Sequence, residues 1–469
     1  KEGYSNVAIG HASMLNVNKL NYNTAVGFQS LRDMNINAET NGTVTMTHID
    51  GFDYQSGISN TALGAWAMRR ASGGSDNTAI GDSSLIQLEN GIENVAVGAA
   101  ALKWTKQTSY NVAIGVQAME NLTGTATYTD DNNVVQFLNS SGNTAIGTRA
   151  MQNANYGSHN VAIGDNALLS NSAFENVAVG SFSMAKNDTG DSNVAVGTKA
   201  LYENIDGDRN TATGERSLEY NTYGSRNTAF GHHSSGYNTV GNFNTSLGIA
   251  AARDAENIDG AVAVGYHAMT SMTNDPNSYA DNTKSENTAV GYFAMSGDEN
   301  IVNTGVANTA LGYMTLTNLS SGNFNTAIGP IALFSNTTGS SNIALGDEAL
   351  KLNVSGNQNI AIGKETLSAN LVSGNIGIGF KSLTATVSGS HNVSIGEESM
   401  LSNVSGFKNV AIGASSMRSA NSSNYQNTSV GHDSSQFMNG NNNTAVGAGS
   451  GVNIDDPNNH SNNNTFLGK

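Results

Sequence analysis

The stretch NVAIGDNALLSNSAFENVAVGSFSMAKNDTGDSNVAVGTKAL, Asn160–Leu201, carries one five-residue phrase three times, at Asn160–Gly164, Asn176–Gly180 and Asn193–Gly197. Each copy reads Asn, a β-branched residue, Ala, an aliphatic residue and Gly. Outward in both directions the phrase recurs until it has appeared 25 times in 469 residues. Of the 24 spacings between its glycines, 15 are 17 residues and four are 16 or 18. The other five, of 37, 32, 26, 21 and 21 residues, read as insertions into the same frame. A fixed period of this kind is the signature of a repeat architecture.

The aligned copies define columns. The first is Asn in every copy but Ala261, and the second is always β-branched, with 13 Thr, 9 Val and 3 Ile. The third is Ala in 20 copies, and the fourth is Ile, Val or Leu in 23, with Thr213 and Phe230 as exceptions. Ala, Ser or Thr follows three residues after the glycine, and then Leu or Met in 20 of 24 complete copies. Asn77, Ala79 and Gly81, and Asn160, Ala162 and Gly164, represent the structural columns.

A β-branched segment with a period of two, closed by glycine, reads as a short strand. The (Ala/Ser)–(Leu/Met) pair reads as a second one, followed by a corner rich in Asn, Ser and Gly. One such coil is a rung of a β-solenoid. The expected fold is therefore all-β, a parallel β-solenoid of about 25 rungs with 17-residue turns, forming a single repeat domain over residues 1–469. Its length would be roughly 115–120 Å at ~4.8 Å per rung. The Asn column is expected to form a side-chain amide ladder. The second and fourth columns share one strand face, expected to point inward. The alanine column is then expected outside, as a close contact between subunits around a cyclic axis.

Composition narrows the function classes. The chain has no cysteine, which excludes disulfides and thiolate metal sites, and its net charge is -16 with only 21 Lys and Arg. That balance argues against a nucleic-acid partner. The longest apolar run, around Val95–Leu102, falls far short of the ~20 residues of a membrane helix. No leader is visible before the first copy, so the chain reads as a mature segment that does not itself insert into a membrane.

The strings NVAIG (Asn6–Gly10, Asn111–Gly115, Asn160–Gly164, Asn409–Gly413) and NTAIG (Asn77–Gly81, Asn143–Gly147, Asn325–Gly329) resemble the head repeats of trimeric autotransporter adhesins, the YadA-like head. Similar repeats occur in phage-type tail fibres. The resemblance covers essentially the whole chain. It implies a left-handed parallel β-roll, a homotrimer, and motif aliphatics inside the roll. The turn here is longer than that family's usual repeat, and no heptad stalk, basic neck or anchor strands are present.

Motifs for catalysis are absent: no G-x-S-x-G, H-E-x-x-H or P-loop occurs. Asp206–Asn210 begins like a calcium loop but lacks its glycine and its bidentate Glu, and the nine His are scattered. The chain is thus expected to be no enzyme and to need no cofactor or metal. Specific binding is expected in the inserts, at about 32–59, 120–142, 270–286 and 296–307. The second reads as a hairpin pairing Thr125–Thr129 with Val134–Leu138. Asn41, Tyr128, Asp130 and Tyr279 are the candidate surface contacts, since such aromatic and polar side chains suit stacking and hydrogen bonding to protein or glycan.

The reading that follows is a structural and adhesive fibre, extracellular or on a cell surface, whose partners are itself and a cell-surface, matrix or glycan ligand. Its alternative is the tail fibre of a phage or phage-like particle recognising host glycan. A polysaccharide-cleaving fibre ranks lower. So does an ice-binding array built on the Thr column, because that column is expected to face inward.

Overall fold

The structure is a computed structural model that describes residues 5–15, 21–33, 59–71, 74–123, 140–271, 285–297, 303–419, 423–438, 440–452 and 462–468, and the backbone of 126–129 and 135–138. Contacts group the chain into two compact units, Lys1–Asn227 and Thr228–Lys469. Each unit is a parallel β-solenoid. All 25 phrases form three-residue strands, from Val7–Ile9 to Thr465–Leu467, and no described residue is helical.

Within each unit, successive strands pair parallel and column on column. In the first unit Thr61, Ala62 and Leu63 lie beside Thr78, Ala79 and Ile80. The long insertions leave this register unchanged, since Thr24 still pairs with Thr61 and Val112 with Thr144. In the second unit Val262 pairs with Thr288, and Thr288 with Thr309, across two further insertions.

The segment after the glycine is a turn and not the expected second strand. Gly81 has φ +136°, and a Cβ there would lie 2.4 Å from the Gly98 carbonyl oxygen, so only glycine fits. Ser83 and Leu85 then take φ of 59° and 48°, as does Glu93 (56°) just before the next Asn. Left-handed residues cost about 1–2 kcal/mol each. Here each turns its N–H along the solenoid axis: Ser83 donates to Ala65 O (2.9 Å), Leu85 to Ala101 O (3.1 Å) and Glu93 to Ser75 O (3.1 Å). The inter-rung hydrogen bonds thus continue around the corner where a strand would have had to end.

Three polar ladders run between rungs, the second of them over only part of each unit. The expected Asn ladder is present and buried: Asn77 Nδ2 donates to Asn60 Oδ1 (3.1 Å), while Asn77 Oδ1 accepts from the Asn94 backbone N–H (3.0 Å). A second ladder stands seven residues after the glycine. There Asn187, Asn204 and Asn221 donate to Asn171, Asn187 and Asn204 at 2.8, 2.6 and 2.8 Å. The third lies two residues before the motif Asn, where Ser, Asp or Asn accepts a backbone N–H from the preceding rung. Asp191 accepts from Phe174 (2.7 Å) and Asn357 from Ser340 (2.7 Å). Buried backbone groups at the corners are thereby satisfied.

The core holds the alanine column, the small residue three after the glycine and the Leu/Met four after it. Ala79, Ala162, Leu85 and Leu168 are all fully buried. This overturns the expectation that the alanines face outward. The strand's middle residue abuts the small and Leu/Met columns directly, with room for one methyl or hydroxyl. Where Ser246 replaces alanine, its Oγ meets Ser234 Oγ at 2.7 Å and Ser235 Oγ at 2.8 Å. No valine or isoleucine fits such a gap, so the bulkier columns turn out.

Candidate interaction face

The second and fourth columns consequently form the outer strand face of each unit, the reverse of the inward placement expected for them. In the first unit Ile80 and Ile163 are 36% and 38% exposed, and in the second Leu311 is 44% and Phe230 55% exposed. Neither column contains a charged residue in any of the 25 copies. Soluble monomers rarely expose contiguous apolar patches above a few hundred Å². A face that repeats an exposed or half-exposed aliphatic on rung after rung is the candidate interaction surface on that criterion. The ground for ranking an ice-binding array low, an inward Thr column, also falls, since Thr228 and Thr245 are exposed.

Charges collect on the turns instead. Lys186 Nζ reaches Glu203 Oε1 at 2.7 Å, and that hydrogen bond holds the ammonium above its ordinary range. Asp191 is a perturbed carboxylate. Burial pushes its carboxyl up and the nearby Asp208, Glu175 and Asp206 add to this, while the Phe174 N–H opposes. Asp206 and Asp208, the start of the calcium-like run, are used internally: Asp206 accepts from Thr189 Oγ1 (2.6 Å) and Asp208 from the Asp191 N–H (2.8 Å). Among the described residues no group of three or more His, Asp or Glu could hold a metal ion. Nor is any described helix long and apolar enough to cross a membrane.

The described flanks of the four expected inserts end at Asp33, Ser271 and Gly297, six residues after the glycine, and at Thr123, eight after it. Asn41, Asp130 and Tyr279 lie outside the described residues. Tyr128 lies on the strand Ala126–Thr129, which pairs antiparallel with Val135–Leu138 as the sequence predicts, Tyr128 opposite Gln136. The flanks of the inserts belong to regular rungs: Asp33 N–H donates to Arg69 O (2.9 Å) and Gly297 N–H to Thr317 O (2.9 Å). The structural residues Asn77 and Asn160 sit in the buried ladder, and Gly164 repeats the geometry of Gly81 with φ +138°.

Sequence reasoning missed an aromatic stack in the second unit. Tyr266, Tyr292 and Tyr313 occupy the position just after the glycine on three rungs and stack at 5.2 and 5.7 Å. His267 and Phe293, one residue on, stack at 5.2 Å beside them. A signal existed, the same residue at the same column in consecutive copies.

No protein-family model matches the chain, and no curated protein matches it.

Proposed function

We propose that the chain is a non-enzymatic, structural and adhesive fibre segment that assembles with copies of itself through the outer strand face, as a homotrimer. The observation that carries this reading is the charge-free, exposed aliphatic face repeated along both units of a chain with net charge -16. Depletion of charge is the compositional mark of interface cores. The handedness is that of a left-handed β-roll, in keeping with the resemblance of the motif. Assembly through the strand face leaves the inserts to meet a ligand on a cell, matrix or host surface, and the site of action is extracellular or on a cell or particle surface.

Light scattering of the native chain at low micromolar concentration tests the assembly. Three copies of the 48.5 kDa chain are expected, and a well-folded monomer overturns it. Thermal hysteresis in that monomer would assign the same face to ice. Adhesion to cells or glycan arrays, lost when the inserts are cut back to 17-residue turns, tests the second half.

A further inference from the structure

The strand face is nearly its own image after a shift of one rung. Two copies meeting there can dock in register or slipped, with like residues against like in either case, and only one rung of contact is lost per step. Repetitive interfaces of this kind need an irregular residue to specify register, as one buried Asn does in coiled coils.

The second unit carries two such irregularities. Phe230 is the one aromatic among 25 residues of the fourth column, 55% exposed, and its strand neighbour is Leu247. Elsewhere the column just after the glycine is mixed, with Asp82, Thr148, Asp165 and Lys364 among its members. At Tyr266, Tyr292 and Tyr313 it becomes three stacked rings, each exposed. Phe293 packs edge-on against Tyr292 at 4.7 Å and so holds the stack in place.

We propose that Phe230 and the Tyr266–Tyr292–Tyr313 stack set the register in which copies of this chain associate. The inference rests on the self-association reading above, and the occupant is a second copy. The second and fourth strand columns are uncharged, so two chains of the same negative charge can meet there. A glycan platform would need free ring faces, whereas both faces of Tyr292 are covered by its neighbours in the stack. In register the rings of one copy meet the rings of another. One rung out, Phe230 meets Leu247, and an end tyrosine is set against Ile249 or Pro330.

The chain has no native cysteine, so single introduced thiols report register. Full-length Thr228→Cys and Thr245→Cys chains, one rung apart on the face and carrying different tags, are refolded together and oxidised. Like pairs alone are expected. In a background of Phe230→Ile with Tyr266→Thr, Tyr292→Thr and Tyr313→Thr, mixed 228–245 pairs should rise about tenfold or more, given what aromatic pairs contribute to an interface. Oligomer size and strand content should stay unchanged. A second background with Tyr→Phe at the three positions keeps the rings and should keep like pairs only. Like pairs only, or equal mixing, in both the native and ring-free backgrounds overturns the proposal. So does an oligomer that gives no cross-links, because the face then does not lie between copies. A native chain that is monomeric by light scattering instead removes the self-association reading itself.

Discussion

Gly377 occupies the strand column that is alanine in most rungs, and its backbone does not need glycine, since its φ is not positive. A Cβ placed there would sit 2.7 Å from Thr366 Cγ2 and 3.2 Å from Leu367 Cδ1. Ordinary contact begins near 3.5 Å, so one buried methyl would have to move by most of an ångström inside a packed core. Overpacking of that kind costs about 1–3 kcal/mol. Gly377→Ala should therefore open its rung about 5- to 150-fold more often, read as faster amide exchange at Ile376 and Gly379, whose N–H groups bond Asn392 O and Ile362 O. Local exchange is the suitable assay because each rung touches only its neighbours. Thr366→Ser removes the offending methyl and keeps the hydroxyl that donates to Gly379 O at 2.6 Å. The double variant Thr366→Ser/Gly377→Ala should therefore regain most of the loss, with a coupling of about 1–2 kcal/mol. A neutral Gly377→Ala, or strictly additive effects, would refute the inward placement of this column.

Three further outcomes follow from the same geometry. Ala162→Gln should lower thermal stability at every protein concentration, whereas Ile163→Gln should leave the strand signal intact and shift the assembly equilibrium measured by light scattering. For Asp191, whose carboxyl is raised in the fold, the stabilising contribution is full below the ordinary carboxylate range and is lost as pH rises through the raised value. Asp191→Asn, which keeps the acceptor for the Phe174 N–H, should thus match the native chain in acid and exceed its stability at pH 7 in denaturant titrations. Ile331 is β-branched yet has φ 59°, the position where Asn166 stands with φ 56°. Ile331→Asn should slow local exchange by roughly the factor that ~1 kcal/mol of relieved strain gives.

The strands, their register across insertions and the first Asn ladder were legible because each is written into a column that scarcely varies. The facing of the strand was not. Hydrophobicity alone points Ile80 and Ile163 inward, but the gap between the strand and the Leu85 or Leu168 side admits only a methyl, and volume decides. The turn was misread as a strand because left-handed Leu85 leaves no trace in composition. The second ladder was hidden by its interruptions, with Leu88 and Leu122 standing where Asn187 and Asn204 stand elsewhere. Asn187 consequently reads as a loop residue from sequence, yet it is fully buried. The candidate contacts Asn41, Asp130 and Tyr279 follow from inserts that break the frame, and the described strands on either side of those breaks stay in register.

The register that survives every insertion has a genetic consequence. Because every rung offers the same strand register to the rung on either side, an unequal crossover between two copies of the repeat joins one half-coil to another without shifting the strands. Coils can be gained or lost in whole units, and foreign segments can enter between strands, while the strands on either side still pair in register. Such a gene can lengthen its solenoid and exchange its inserts by recombination alone, without first evolving a new core.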